Sequence, residues 1–100
     1  MYRVSQRSAA ARIESGLPFT ASALRGTEGA AGESGRLCGD DLTLWRETGQ
    51  AATYTVWSYG TPIAWRMADG SWVMVSGRFS VTTSKHQGIV RRAVASVVTA

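Results

Sequence analysis

Cysteine and histidine occur once each in this sequence, as Cys38 and His86; lysine occurs once, as Lys85, and proline twice. A single thiol cannot form an internal disulfide, which points to a reducing compartment. One Cys and one His also fall short of the ligand set a zinc site uses, so no metal is expected. No other cofactor is suggested. No apolar run approaches the roughly 18 residues needed to cross a bilayer, and the N-terminal arginines are not followed by the apolar stretch of a secretory signal. A cytoplasmic protein without a membrane partner is the expectation. Acidic residues are scarce in the second half, where Asp69 stands alone against Arg66, Arg78, Lys85, Arg91 and Arg92. In residues 1–51 six arginines balance six acids, so the whole net charge of +4 lies beyond them. Such an excess suits an acidic partner, nucleic acid or protein, and a solvated face is the competing explanation.

What is present describes a globular chain. The hydrophobic fraction of 44% and charged fraction of 18% exclude a disordered one, and 100 residues suffice for one modest core. Four tryptophans are a heavy aromatic load that fills a core or marks a contact surface. Composition divides the chain into a helical N-terminal appendage, residues 1–50, and a sheet-plus-helix domain, residues 51–100.

Ser5 to Ser15 reads as a helix, with Ser5 as cap, Ala9-Ala10-Ala11 as strong formers, and Gly16 and Pro18 as the stop. Thr20 is placed to cap a second, very short helix, Ala21 to Arg25. Helix, turn, helix is how a helix-turn-helix begins, but one and a half turns are too short for a recognition helix. Residues 26–39 form a Gly-rich loop; the absence of G-K-[ST] excludes a phosphate loop. A further helix runs from Asp40 or Asp41 to about Thr48 and stops at Gly49.

Thr53 to Tyr59 is β-branched and aromatic and predicts a strand. Gly60-Thr61-Pro62 turns the chain into a second strand, Ile63 to Met67. Asp69-Gly70 signals a two-residue hairpin loop, which sets Met67 opposite Trp72 and Trp65 opposite Met74. Phe79 and Val81 alternate along a fourth strand. Ser84 and Gln87 then have capping-box spacing, opening a helix at about Lys85. Ile89, Val90, Ala93, Val94, Val97 and Val98 give that helix one broad apolar stripe. The fold predicted is α+β: a four-stranded antiparallel meander, the C-terminal amphipathic helix on one face, and short N-terminal helices at its edge.

Chemistry gathers at the strand-to-helix junction. The hydroxyls of Ser80, Thr82, Thr83 and Ser84 before a helix carrying Lys85 suit an anion, and capping accounts for the same residues. Ser84 and His86, two apart, do not face each other as nucleophile and base, and no catalytic residue is expected. Trp57, Tyr59, Trp65 and Trp72 with Arg66 and Arg78 would suit base stacking on an open sheet face, but the helix must cover one face and at least two tryptophans are expected in the core.

The run Val56-Trp57-Ser58-Tyr59-Gly60-Thr61-Pro62-Ile63-Ala64-Trp65, then Trp72, then Phe79-Ser80-Val81-Thr82-Thr83-Ser84-Lys85-His86-Gln87 and Val90-Arg91, resembles a domain of unknown function common in small proteins of actinobacterial phages. The resemblance covers roughly residues 54–94, and Pro18 to Arg25 resembles a leader seen in some members. It implies a phage or prophage origin and no established activity; small phage proteins are often host-takeover factors or inhibitors of host defence, and a non-enzymatic role of that class is the expectation. It also singles out Gly60, Thr61, Thr82, Thr83, His86 and Gln87 as a polar corner, either structural or a binding site. The expected function is occupation of a host protein through Arg66, Arg78, Lys85, Arg91 and Arg92. A DNA- or RNA-binding accessory role is the alternative, and a homodimer is a further possibility.

Overall fold

The computed structural model describes residues 3–29, 33–77 and 80–99, apart from the side chains of residues 6, 7 and 96–99. Its centre is a five-stranded antiparallel sheet in simple sequence order: β1 (Phe19–Ala21), β2 (Leu24–Glu28), β3 (Tyr54–Ser58), β4 (Thr61–Arg66) and β5 (Trp72–Met74). Helices α1 (Gln6–Ser15) and α3 (Val81–Thr99) pack on each other and on one face of the sheet. Helix α2 (Gly39–Thr48) lies against the other face. The alternation of β3 shows this directly. Ser58 reaches α3 and the Tyr54 hydroxyl bonds the Leu17 carbonyl just past α1, whereas Trp57 points the other way and meets Trp45 of α2.

The class is α+β as predicted, with five strands instead of four. β3, β4 and β5 were legible. β1 and β2 stand where a second short helix and the start of the Gly-rich loop were expected. Ser22 adopts a left-handed φ of 58° and turns β1 into β2, so no helix-turn-helix exists there. β2 then pairs with β3 along its whole length, and the division drawn at residue 50 runs between two neighbouring strands of one sheet. The expected fourth strand is not formed as read: Val81 is the first residue of α3, and Phe79 lies outside the described residues.

The β4–β5 register differs from expectation, and the β3–β4 pair carries a bulge. The β4–β5 loop is three residues, Ala68-Asp69-Gly70, closed by the Met67 amide on the Ser71 carbonyl at 2.8 Å. Gly70 supplies the left-handed φ of 88° that such a loop needs after a tight turn. One added residue slips the pairing by one, so Trp65 faces Val73 and Arg66 faces Trp72. Trp65 and Trp72 therefore sit on opposite faces. In the β3–β4 pair the register shifts between Val56 and Trp57, leaving Ile63 as the extra residue. Pro62, with no amide to donate, immediately precedes the bulged Ile63.

Three tryptophans make the core under α2. Trp45 stands edge-on to Trp57 and Trp65, with ring centroids 5.8 and 4.8 Å apart. All three are buried. Trp57 donates its Nε1–H to Thr27 and Trp65 donates to Thr48, each at 2.9 Å, while the buried Trp45 Nε1 has no partner among the described residues. With Trp57 and Trp65 enclosed, neither is offered for base stacking. Beneath α1 and α3 the core is Ala9, Ile13, Phe19, Leu24, Tyr54, Val56, Val90 and Ala93. The apolar stripe of α3 is realised in Ile89, Val90 and Ala93, with Val94 packed beside them; the side chains of Val97 and Val98 lie outside the described residues.

The ends of α1 follow the sequence, and the start of α3 does not. Ser5 caps α1 by accepting from the Ser8 amide at 3.3 Å, and Gly16 closes it at φ 65°. At α3 the cap is Ser80, not Ser84. The Ser80 Oγ accepts from the Thr83 amide at 3.2 Å and its carbonyl accepts from the Ser84 amide. Gln87, expected to complete a box with Ser84, donates instead to the carbonyls of Val75 and Gly77.

Candidate functional site

The turn between β3 and β4 is Tyr59-Gly60, with φ of 51° and 80° at its two positions. Positive φ at both is the type I′ geometry that matches strand twist. Glycine adopts it freely, but for tyrosine it is an uncommon and strained conformation. The turn holds Tyr59 outward, 64% exposed, and its amide is tied to the Ala23 carbonyl of the neighbouring turn at 3.1 Å. On either side of it Ser58 and Thr61 pair across the ladder and share the face beneath α3.

The N-terminal turn of α3 lands opposite this hairpin. Between them lies a cleft of about 320 Å³, walled by Ser58, Tyr59 and Thr61 from the hairpin and by Ser80, Thr82 and Thr83 from the helix start. Arg36 completes it from the loop before α2. That loop is held close. The Arg36 amide donates to the Thr61 hydroxyl at 2.9 Å, and Gly35, at φ 53°, lies so near that a Cβ there would stand 2.6 Å from the Thr61 Cα. Only glycine fits that approach.

From the cleft wall inward runs a row of hydrogen bonds, solvent-exposed at Ser80 and buried at Ser58 and His86. Ser80 Oγ donates to Thr83 Oγ1 at 3.2 Å, Thr83 Oγ1 meets Ser58 Oγ at 3.0 Å, and Ser58 Oγ meets His86 Nδ1 at 2.7 Å. With Thr83 accepting from Ser80, each hydroxyl donates once if the row runs from Ser80 to Thr83 to Ser58 and ends on the Nδ1 lone pair. That direction requires a neutral imidazole. Burial favours the neutral ring, since His86 is fully enclosed and desolvation lowers its pKa below the usual histidine value; the row as drawn then places the ring proton on Nε2. The Tyr59 ring lies 6.2 Å from the His86 ring, centroid to centroid.

Most of the expected polar corner is therefore assembled. Thr61, Thr82 and Thr83 line the cleft, Gly60 makes its turn, and His86 lies under its floor. Gln87 is close in sequence but bonds the chain beyond β5, which is a structural task. Of the basic residues expected to make the contact, the described ones lie on β4 and α3. Arg66 is half-buried, its guanidinium 5.9 Å over the Tyr54 ring and against the end of α1. Lys85, Arg91 and Arg92 are exposed on α3, and Arg78 lies outside the described residues. Two site residues were not singled out from sequence. Ser58 had a signal, a hydroxyl on the same strand face as Tyr54 and Val56; Arg36, in a loop of small residues, had none.

Among the described residues no group of three His, Cys, Asp or Glu is placed to hold a metal ion, and no helix is long and apolar enough to cross a membrane. The described residues form an α+β fold with a polar cleft where a strained hairpin meets a helix start. The chain belongs to DUF8033, a family of unknown function whose model matches residues 19–93. That stretch holds the whole sheet, α2 and the cleft, and leaves α1 outside. No curated protein and no solved structure matches the chain.

Proposed function

We propose that this protein is a non-enzymatic binding protein that acts by engaging a host macromolecule at the corner cleft. One observation carries the reading. The two motifs, Ser58-Tyr59-Gly60-Thr61 and Ser80-Val81-Thr82-Thr83, are distant in sequence and meet at a single polar cleft flanked by exposed apolar side chains. Tyr59 is 64% exposed and Val81, beside the lining residues Ser80 and Thr82, is 77% exposed. Of the three exposed large hydrophobics among the described residues, two stand here. Apolar groups around a pocket of hydrogen-bonding groups are the anatomy of a recognition site. His86, the one candidate general base nearby, is enclosed behind Ser58 and committed to it, which favours binding over catalysis.

The phage origin implied by the motif resemblance makes a host protein the intended occupant, and host takeover or inhibition of defence the purpose. A direct test places a photo-reactive diazirine residue at position 82, in the cleft wall, and at position 47, on exposed α2. A nuclease-resistant adduct from host lysate at position 82 alone is expected. Equal adducts from both positions, or none, overturn the cleft as the contact. An adduct that nuclease removes transfers the reading to nucleic acid, where Lys85, Arg91 and Arg92 would add phosphate contacts and steep salt dependence.

A further inference from the structure

We infer that the cleft takes a phosphate-type oxyanion, presented by a ligand or a modified side chain; this deepens the binding reading above and rests on it. The argument is an account of hydrogen-bond donors. With the row running toward His86 Nδ1, Ser58, Ser80 and Thr83 spend their hydroxyl protons within it. Four other donor groups remain unspent among the described residues. The guanidinium of Arg36, the phenol of Tyr59 and the hydroxyl of Thr82 have no partner, and the Thr61 oxygen accepts from the Arg36 amide while its own proton is uncommitted. None of the lining residues is a carboxylate.

A cleft whose one charged lining group is a guanidinium, with hydroxyls able to donate and no carboxylate to oppose it, is matched by an anionic acceptor. A sugar or a peptide amide could bond the same hydroxyls, which accept as well as donate, but would leave the Arg36 charge without a counter-charge. A tetrahedral oxyanion brings acceptors only, and Arg36 adds the charge and the forked geometry that such groups favour. The start of α3, whose 19 residues align their peptide dipoles, borders the same space and adds positive potential. The volume of about 320 Å³ exceeds what a bare phosphate fills, so the group is expected to arrive on a carrier whose remainder rests against Tyr59.

The test is an amide-resolved NMR titration of the full chain with inorganic phosphate, repeated with O-phosphoserine and with adenosine 5′-monophosphate, against chloride at equal ionic strength. Saturable shifts confined to residues 36, 58–61 and 80–84 are expected, with a carrier-borne phosphate binding more tightly than the free ion. Arg36→Gln, which keeps the amide bond to Thr61, should weaken binding at least tenfold, and Thr82→Val severalfold. Shifts centred on Lys85, Arg91 and Arg92, or an Arg36→Gln variant that titrates like the parent, overturn the assignment. A null titration with position 82 still cross-linking a host protein sinks the oxyanion alone; loss of both results sinks the binding reading with it.

Discussion

Replacing Ser58 by alanine removes the buried middle of the hydroxyl row and should be the most destabilising change of a single hydroxyl in the cleft. The Ser58 Oγ joins His86 Nδ1 at 2.7 Å and Thr83 Oγ1 at 3.0 Å, and all three residues are buried. Truncation strands an imidazole nitrogen and a hydroxyl proton together. A buried polar group left without a partner costs about 1–3 kcal/mol. Because Ser58 borders the cleft, water is able to reach part of the gap, which places each loss near the lower end and the total at about 2–3 kcal/mol. For 100 residues that is roughly 5 °C in Tm per kcal/mol, or about 10–15 °C. Urea unfolding followed by tryptophan fluorescence measures it well, since Trp45, Trp57 and Trp65 are buried. Ser80→Ala is the internal comparison: it removes a helix cap at the solvent end of the same row and should cost about 1 kcal/mol. A Ser58→Ala loss below about 0.5 kcal/mol at unchanged m, or one smaller than that of Ser80→Ala, would refute the row as described.

Three further outcomes are expected. His86 has a pKa below its unfolded value because burial disfavours the charged ring, so its neutral form contributes stability above the unfolded pKa of about 6.5; that contribution should fade as pH drops through the folded pKa, at no more than about 1.4 kcal/mol per pH unit. Urea titrations from pH 7.5 to 5 on the parent and His86→Phe should show that slope in the parent alone. Trp45→Phe should cost about 1 kcal/mol less than Trp57→Phe, since the first removes an unpartnered buried N–H and the second breaks the bond to Thr27; equal losses by denaturant unfolding count against this. Tyr59→Asn, at a φ of 51° that asparagine tolerates, should leave stability equal or up to about 1 kcal/mol higher while weakening ligand binding, and a clear loss of stability would show the tyrosine to be structural.

Much of this was legible in sequence, for reasons that differ by element. α1 was bounded by local chemistry, Ser5 and Gly16, and local chemistry decided it. β3 and β4 carried β-branched and aromatic residues that only a buried strand explains. β2 was hidden because Leu-Arg-Gly-Thr-Glu has no strand signature of its own. It is a strand because β3 offers an edge to pair with, and Gly26 is required there because a Cβ would meet the Tyr54 hydroxyl and stand 2.6 Å from Phe19 Cε1. At α3 the cap expected at Ser84 is made four residues earlier by Ser80, and Gln87 goes to carbonyls beyond β5. The site shows the same split: Thr61, Thr82, Thr83 and His86 were indicated by their motifs, whereas Arg36 reaches the cleft only through a fold-level contact between its loop and the β3–β4 turn.

That contact gives the cleft a place in time as well as in space. Arg36 bonds Thr61 across 25 residues, and Ser58 bonds Thr83 across another 25, so the site closes two long loops at once. Such loops are costly to close and form late. A partly folded chain, even with the β3–β4 hairpin in place, has no cleft. A ligand gripped by both Arg36 and Thr82 would stitch the two loops together and draw the folding equilibrium toward completion, so occupancy of this site would read out the finished fold and slow its undoing.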